Sequence, residues 1–294
     1  AHNNLGLTLK KLDQVDAAVK CYEKAIASQP DYADPYNNLG SIFMELGQMD
    51  DAINSYEKAV AIKPEYAEAH NNLGNAFKEL GQLDVAVVSY EKALTIKPDY
   101  PDAHNNLGVT LKELNQLDAA VKCYEKALDI KPDSVEAHNN LGNALADLDQ
   151  LDAAVKCYVK ALSLSPENAD TYNNLGIAYF ELKQPDAAIK CYKKALSLAP
   201  DYAEVYGNLG NTFKDLAQLD EALASYESAI ALKPNYIDAH NNLGVVLVQL
   251  GQLDDAVKSY KQAIAVKPDY AEAHNNLGNA LKDLGQHDAA INCY

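Results

Sequence analysis

A proline recurs every 34 residues through this chain, and no other property of the sequence restricts its fold as much. Pro30, Pro64, Pro98, Pro132, Pro166, Pro200, Pro234 and Pro268 are eight of the 11 prolines. Gly6, Gly40, Gly74, Gly108, Gly142, Gly176, Gly210, Gly244 and Gly278 keep the same period with nine of the 14 glycines, each following a Leu that itself follows an Asn. Nothing is inserted or deleted along the 294 residues. At roughly 100–200 residues per domain the length alone would suggest two globular cores. A fixed period of this size specifies instead a row of stacked supersecondary units, each burying its apolar face against its neighbours.

The copy at 67–100 shows what one unit is. Ala69, Leu73, Gly74, Ala76, Phe77 and Leu80 follow the three-and-four spacing of one helical face. Gly81-Gln82 breaks that pattern, and a second apolar series runs Leu83, Ala86, Val87, Tyr90, Ala93 and Leu94 before Pro98. Proline lacks the backbone donor and disfavours helix at the residue before it, so it ends the second segment. The unit is therefore two helices of about 14 residues joined by a tight turn. Asp84 and its eight equivalents open the second helix, where negative charge complements the helix dipole. Asp99 with Asp102 three residues on predicts a capping box for the next copy's first helix.

Leu73, Gly74, Leu80, Ala86, Tyr90, Ala93 and Pro98 have identical equivalents wherever their position is present. On these residues the chain resembles a tetratricopeptide-repeat array over its whole length, with His or Tyr at the fourth position in place of that family's frequent Trp. The resemblance implies an all-α, right-handed superhelical solenoid of 34-residue helix-turn-helix repeats. It would form a single solenoid over 1–294, with full repeats at 33–66, 67–100, 101–134, 135–168, 169–202, 203–236 and 237–270, flanked by partial ones at 1–32 and 271–294. Gly74 and Ala86 then mark the crossing of the two helices, where larger side chains would force the axes beyond about 8–10 Å, and Tyr90 fills space between repeats.

Few residue patterns in the chain carry chemistry. Forty-two acidic residues against 25 basic ones, all Lys, give a net charge of −17, a field that repels nucleic acid and anionic lipid. The longest wholly apolar runs, such as Val245-Val246-Leu247-Val248, fall far short of the roughly 20 residues a membrane span needs. Cys21, Cys123, Cys157, Cys191 and Cys293 share one repeat position with Ser55, Ser89, Ser225 and Ser259, so the slot selects for small size. Unpaired thiols favour a reducing, cytoplasmic compartment. His2, His70, His104, His138, His240 and His274 interchange with Tyr36, Tyr172 and Tyr206, which reads as helix-packing aromatics rather than metal ligands or a pH-sensitive stripe. No phosphate loop, zinc motif or nucleophile with a convergent base is present. The expectation is a non-catalytic chain with no cofactor and no metal. Its start at Ala1, without Met or a leader, suggests a piece of something longer.

Asparagine is the residue that packing does not require. It occupies the sixth position of every copy (Asn4, Asn38, Asn72, Asn106, Asn140, Asn174, Asn208, Asn242, Asn276) and the fifth in all but one, including Asn71, Asn105 and Asn139, with Gly207 the exception. The second, fifth, sixth, ninth, twelfth and thirteenth positions share the side of the first helix opposite its Leu and Gly stripe, and would line a concave groove. An amide side chain offers two donors and an acceptor, so a file of them suits the backbone of an extended peptide. The asparagines could equally bond neighbouring repeats and fix the superhelix, and the two roles are compatible. Such a ladder is similar to that of O-linked N-acetylglucosamine transferases, which implies a substrate-holding role. The basic clamp that other family members use for a terminal carboxylate is missing, because the second position is acidic from Asp34 to Glu272. A neutral or mildly basic partner fits best. At the ninth position Asn75, Asn143, Asn211 and Asn279 alternate with Val109, Ile177 and Val245, giving a floor that is polar and apolar in turn. Three functional readings follow: a peptide-binding scaffold, the substrate-recruiting arm of a larger glycosyltransferase-type enzyme, and a structural element that associates end to end through uncapped apolar faces.

Overall fold

The computed structural model describes residues 1–294, and all their regular structure is α-helical. Unit one covers 1–148 and holds α1 (His2–Lys11), α2 (Val15–Ser28), α3 (Ala33–Glu45), α4 (Met49–Ile62), α5 (Ala67–Glu79), α6 (Leu83–Ile96), α7 (Pro101–Glu113), α8 (Leu117–Ile130) and α9 (Val135–Asp147). Unit two covers 149–294 and holds α10 (Leu151–Leu164), α11 (Ala169–Glu181), α12 (Pro185–Leu198), α13 (Ala203–Asp215), α14 (Leu219–Leu232), α15 (Ile237–Gln249), α16 (Leu253–Val266), α17 (Ala271–Asp283) and the short α18 (His287–Ile291).

The turn inside each repeat is set by one left-handed residue. Gly47, Gly81, Gly251 and Gly285 have φ of +71 to +75°, and Asp13, Asn115, Asp149, Lys183 and Ala217 occupy the same place at +55 to +59°. With Gly81 in that conformation, the Gln82 amide reaches back to the Phe77 carbonyl at 2.9 Å and the Gly81 amide to Lys78 at 2.8 Å, closing the end of α5 as a Schellman turn. The second helix ends as the sequence implies: Lys97, before Pro98, leaves the helical region at φ −132°, ψ 88°.

The first helix starts differently from the expectation. Its cap residue is Tyr100, whose side chain makes no capping bond, while Asp99 lies outside the helix and Asp102 inside its first turn, so no capping box forms. Only Ser134 and Asn168, which replace that Tyr in two copies, cap with their side chains, accepting from the Ala137 amide at 3.3 Å and the Thr171 amide at 2.8 Å. The acidic residues act on the dipole alone, from inside the first turn.

The core of a repeat is a ring set on a bare backbone. Tyr90 is fully buried, and a Cβ added to Gly74 would lie 2.6 Å from its Cε1, so nothing larger than hydrogen fits beneath the ring. The same ring reaches forward: Tyr22 packs with Leu39 and Ile42 of the next repeat, Tyr56 with Leu73 and Ala76. Ala86 and Ala93, both fully buried, let the second helix lie close on either side. Within each unit, first helices touch the first helices of adjacent repeats (α3 with α5, α13 with α15), whereas second helices do not touch one another. The first helices therefore form the inner, concave layer.

Candidate functional site on the inner helical face

The inner face is built on the asparagine pairs. The sixth-position Asn of each repeat donates its Nδ2–H to the fifth-position Oδ1 of the repeat before it: Asn38 to Asn3, Asn72 to Asn37, Asn106 to Asn71, Asn140 to Asn105, Asn208 to Asn173 and Asn276 to Asn241, all at 2.9–3.2 Å. Among the fifth-position amides Asn3, Asn37, Asn71, Asn105, Asn173 and Asn241 are buried, and two of them pass the chain forward, Asn105 donating to Glu136 at 2.8 Å and Asn241 to Glu272 at 2.9 Å. Where Gly207 interrupts the file, the Tyr236 hydroxyl would meet a Cβ at 2.8 Å, and Asn242 turns to Asn211 at 3.0 Å instead. Asparagine here spans repeats, which explains why it recurs where core packing has no use for it.

Bonding between repeats does not exhaust the ladder. Asn38, Asn72, Asn106, Asn140 and Asn208 are half-buried, and each commits one Nδ2–H to its neighbour. Each has a second N–H and the lone pairs of Oδ1 beyond that bond. In unit one these groups border a pocket of about 350 Å³ lined by Glu68, Asn71, Asn72, Asn75, Tyr100, Asp102, Asn105, Asn106 and Glu136, with Pro101, Ala127 and Ser134. Asn71, Asn72, Asn75, Asn105 and Asn106 thus line one pocket. Asn139, Asn143 and Asn174 hold their ladder positions on α9 and α11.

The ninth position answers to the tyrosine behind it. Tyr90 donates to Asn75 at 2.7 Å, Tyr226 to Asn211 at 2.7 Å and Tyr294 to Asn279 at 3.0 Å, so these asparagines are acceptors for the tyrosine hydroxyl of their own repeat. Leu7 and Val109 offer no acceptor, and the Tyr22 and Tyr124 hydroxyls are buried without a partner.

Charge on this face is organised around the acidic second position. Tyr202 donates to Asp170 at 2.8 Å, and Tyr270 to Glu272 at 3.3 Å and Asp238 at 3.4 Å; burial first, then these carboxylates, push both phenols up to about 12. Lys63, Lys97, Lys233 and Lys267 lie over the rings of Tyr66, Tyr100, Tyr236 and Tyr270 at 4.5–5.6 Å. The Lys233 ammonium bonded to Glu204 holds that carboxyl below its ordinary range. At the C-terminal end of the first helices, Lys10 pairs with Glu45 and Lys112 with Asp147 of the following repeat, each at 2.8 Å. These lysines are engaged, whereas Glu68, Asp102 and Glu136 at the rim of the pocket have no paired cation.

Neither the histidines nor the cysteines belong to this face. In His70, His104, His138, His240 and His274 Nε2 lies 2.9–3.0 Å from the carbonyl of the preceding repeat-ending proline, an acceptor only, so that nitrogen carries the hydrogen. They tie the inter-repeat loop to the first helix. Burial pushes the Cys123 and Cys191 thiols up to about 11, away from the reactive thiolate. Ser55, Ser89 and Ser225 in the same slot donate to the carbonyl four residues back. No group of three His, Cys, Asp or Glu side chains is placed to hold a metal ion, and no helix is long and apolar enough to cross a membrane.

Comparison with known proteins agrees with the helical-repeat fold. Family models described as TPR repeat match residues 6–47, 40–81, 74–115, 110–149, 142–183, 210–251 and 246–285, and two described as tetratricopeptide repeat match 169–202 and 191–224. Among solved structures, a chain of the APC/C hetero-tetramer Cut9–Hcn1 is similar over 90% of this chain at 19% identity and a TM-score of 0.67; this chain spans about half, 52%, of its length. MamA is 30% identical over 56% of this chain and 97% of its own, with a TM-score of 0.53. YrrB, described as a TPR protein with an unusual peptide-binding site, is 26% identical over 63% of this chain and 95% of its own, with a TM-score of 0.52. No curated protein matches the sequence.

Proposed function

Because the chain belongs to the tetratricopeptide-repeat family, whose repeat models cover it almost end to end, we propose that it is a protein-interaction scaffold whose concave asparagine file holds an extended polypeptide. One observation carries the reading: the polar pocket of unit one is lined by Asn72, Asn75 and Asn106 beside three carboxylates without cations, Glu68, Asp102 and Glu136. Amide groups that both donate and accept suit the alternating N–H and C=O of an extended main chain. The rim acids and the overall charge of −17 favour a segment that is neutral or mildly basic. YrrB, with its peptide-binding site, supports the reading as a similar protein of the same family.

The same ladder also supports a second reading, that the chain is the substrate-recruiting arm of a larger modifying enzyme, through its likeness to the array of O-linked N-acetylglucosamine transferases. Both readings place the partner in the same groove. Their common test neutralises the rim. Glu68→Gln with Asp102→Asn leaves the ladder intact, and binding to an immobilised array of 12-residue peptides graded in charge should lose its preference for basic over acidic members by several-fold. Equal retention of acidic and basic peptides by the unmodified chain would refute the groove as the binding face.

A further inference from the structure

Tyr260 differs from its neighbours in a way that points at a ligand. It is 98% buried (2% exposed), like Tyr226 one repeat earlier. Tyr226 donates its hydroxyl to Asn211 and Tyr294 donates to Asn279, but the residue in that place for Tyr260 is Val245. The Tyr260 hydroxyl has no partner in the protein, and unlike those of Tyr22 and Tyr124 it is not sealed off. It opens at the floor of a recess of about 240 Å³ in the inner face of unit two, between α15 and α17. Val245 and Val248 form one wall; Asn276, Asn279 and Asp283 form the opposite rim. Asn276 spends one Nδ2–H on Asn241, and Asn279 spends its Oδ1 on Tyr294, so the Asn276 oxygen and the Asn279 amide hydrogens still face the recess.

Because the Tyr260 hydroxyl opens into the recess, it donates to water until a ligand acceptor replaces that water. Two valines beside it exclude charge, and the recess is smaller than the roughly 300–1,000 Å³ of a small-molecule site. One side chain fits. We infer that this recess is a subsite for a single aliphatic residue of an extended segment, whose main-chain carbonyl accepts from Tyr260 Oη and whose flanking basic residue pairs with Asp283. The inference rests on the groove reading above but adds a defined side-chain preference that the asparagine file lacks.

The test uses the full chain and fluorescein-labelled acetyl-Gly-Ser-Lys-Ser-Leu-Ser-Lys-Ser-Gly amide, with versions carrying Ser or Asp for the Leu, read by anisotropy. The Leu peptide should bind about tenfold or more tightly than the Ser peptide, as one buried aliphatic side chain predicts. Tyr260→Phe should weaken it by about fivefold through the lost bond. Val245→Asn, which installs the residue that Asn211 and Asn279 already supply elsewhere, should remove the Leu preference with helicity unchanged. Tyr226→Phe, whose hydroxyl is already satisfied, should leave the affinity as it was. Equal binding of Leu and Ser peptides to the unmodified chain overturns the subsite while leaving the groove reading standing. Absence of binding by all three peptides overturns the subsite and counts against the groove as well.

Discussion

At the scale of single residues, the repeat is organised by tyrosines such as Tyr22 and Tyr56, each seated on a glycine of its own repeat and packed with the leucine of the next. The position of these tyrosines was legible in the 34-residue period, but what their hydroxyls need was not. The alternation at the ninth position reads from sequence as a groove pattern; in the structure it also decides which hydroxyls are satisfied. Tyr124 lies over Val109 with its oxygen buried and unpaired. Val109→Asn places there the acceptor that Asn75 gives Tyr90, at little change in helix propensity. It should raise stability by about 1 kcal/mol, seen as a higher urea midpoint at constant slope; an unchanged or lower midpoint would show that the hydroxyl is not the limiting group.

At the scale of the helical hairpin, the turn is the weak element in five of the nine copies. Gly47, Gly81, Gly251 and Gly285 adopt the left-handed conformation without steric cost, whereas Ala217 is held at φ +55° and Lys183 at +59°. A Cβ in that region costs about 1–2 kcal/mol, and Asp or Asn tolerates it better than Ala. Ala217→Gly should therefore stabilise unit two by about 1 kcal/mol, measured by urea unfolding; a loss would mean that the added freedom of the unfolded chain outweighs the relieved strain. Helix boundaries were readable because Gly81 and Pro98 act locally through the backbone. Asp99 and Asp102 have the spacing of a capping box, yet the intervening Tyr100 takes the cap position and its ring is committed to Lys97. The glutamine preceding every second helix, Gln82 among them, makes no capping bond, and nothing in the structure explains its recurrence.

At the scale of the whole molecule, the charge of −17 and the buried phenols set the response to pH. Burial raises the Tyr56 and Tyr260 hydroxyls to about 12 and the Tyr90, Tyr124, Tyr192 and Tyr226 hydroxyls further, from an ordinary value of 10.0. The folded state thus keeps protons that the unfolded chain releases. Stability from this source is complete below pH 10 and falls as the pH rises from there through about 12 and above. Alkaline titration should show a cooperative loss of helicity that coincides with the main phenolate absorbance step; ionisation of these tyrosines in a chain still fully helical would contradict it. The inner face was legible as a file of asparagines because only a polar requirement repeats so strictly outside the core. Its division between repeat-to-repeat bonding and free groove-facing capacity was not, since that depends on which amide of each Asn-Asn pair is buried, a matter of helix rotation rather than of spacing.

That division also supplies the most direct test. If the inner face holds the partner, Asn38, Asn72, Asn106 and Asn140 each have an N–H left for it, while the outward-facing side chains of the second helices take no part in binding. Side-chain amide resonances, assigned in the full chain and followed while a neutral-to-basic peptide is added, should shift at these four asparagines and stay fixed at Asn54 on α4 of the outer layer. Shifts confined to the second helices, with the four groove amides unmoved at saturation, would contradict the account.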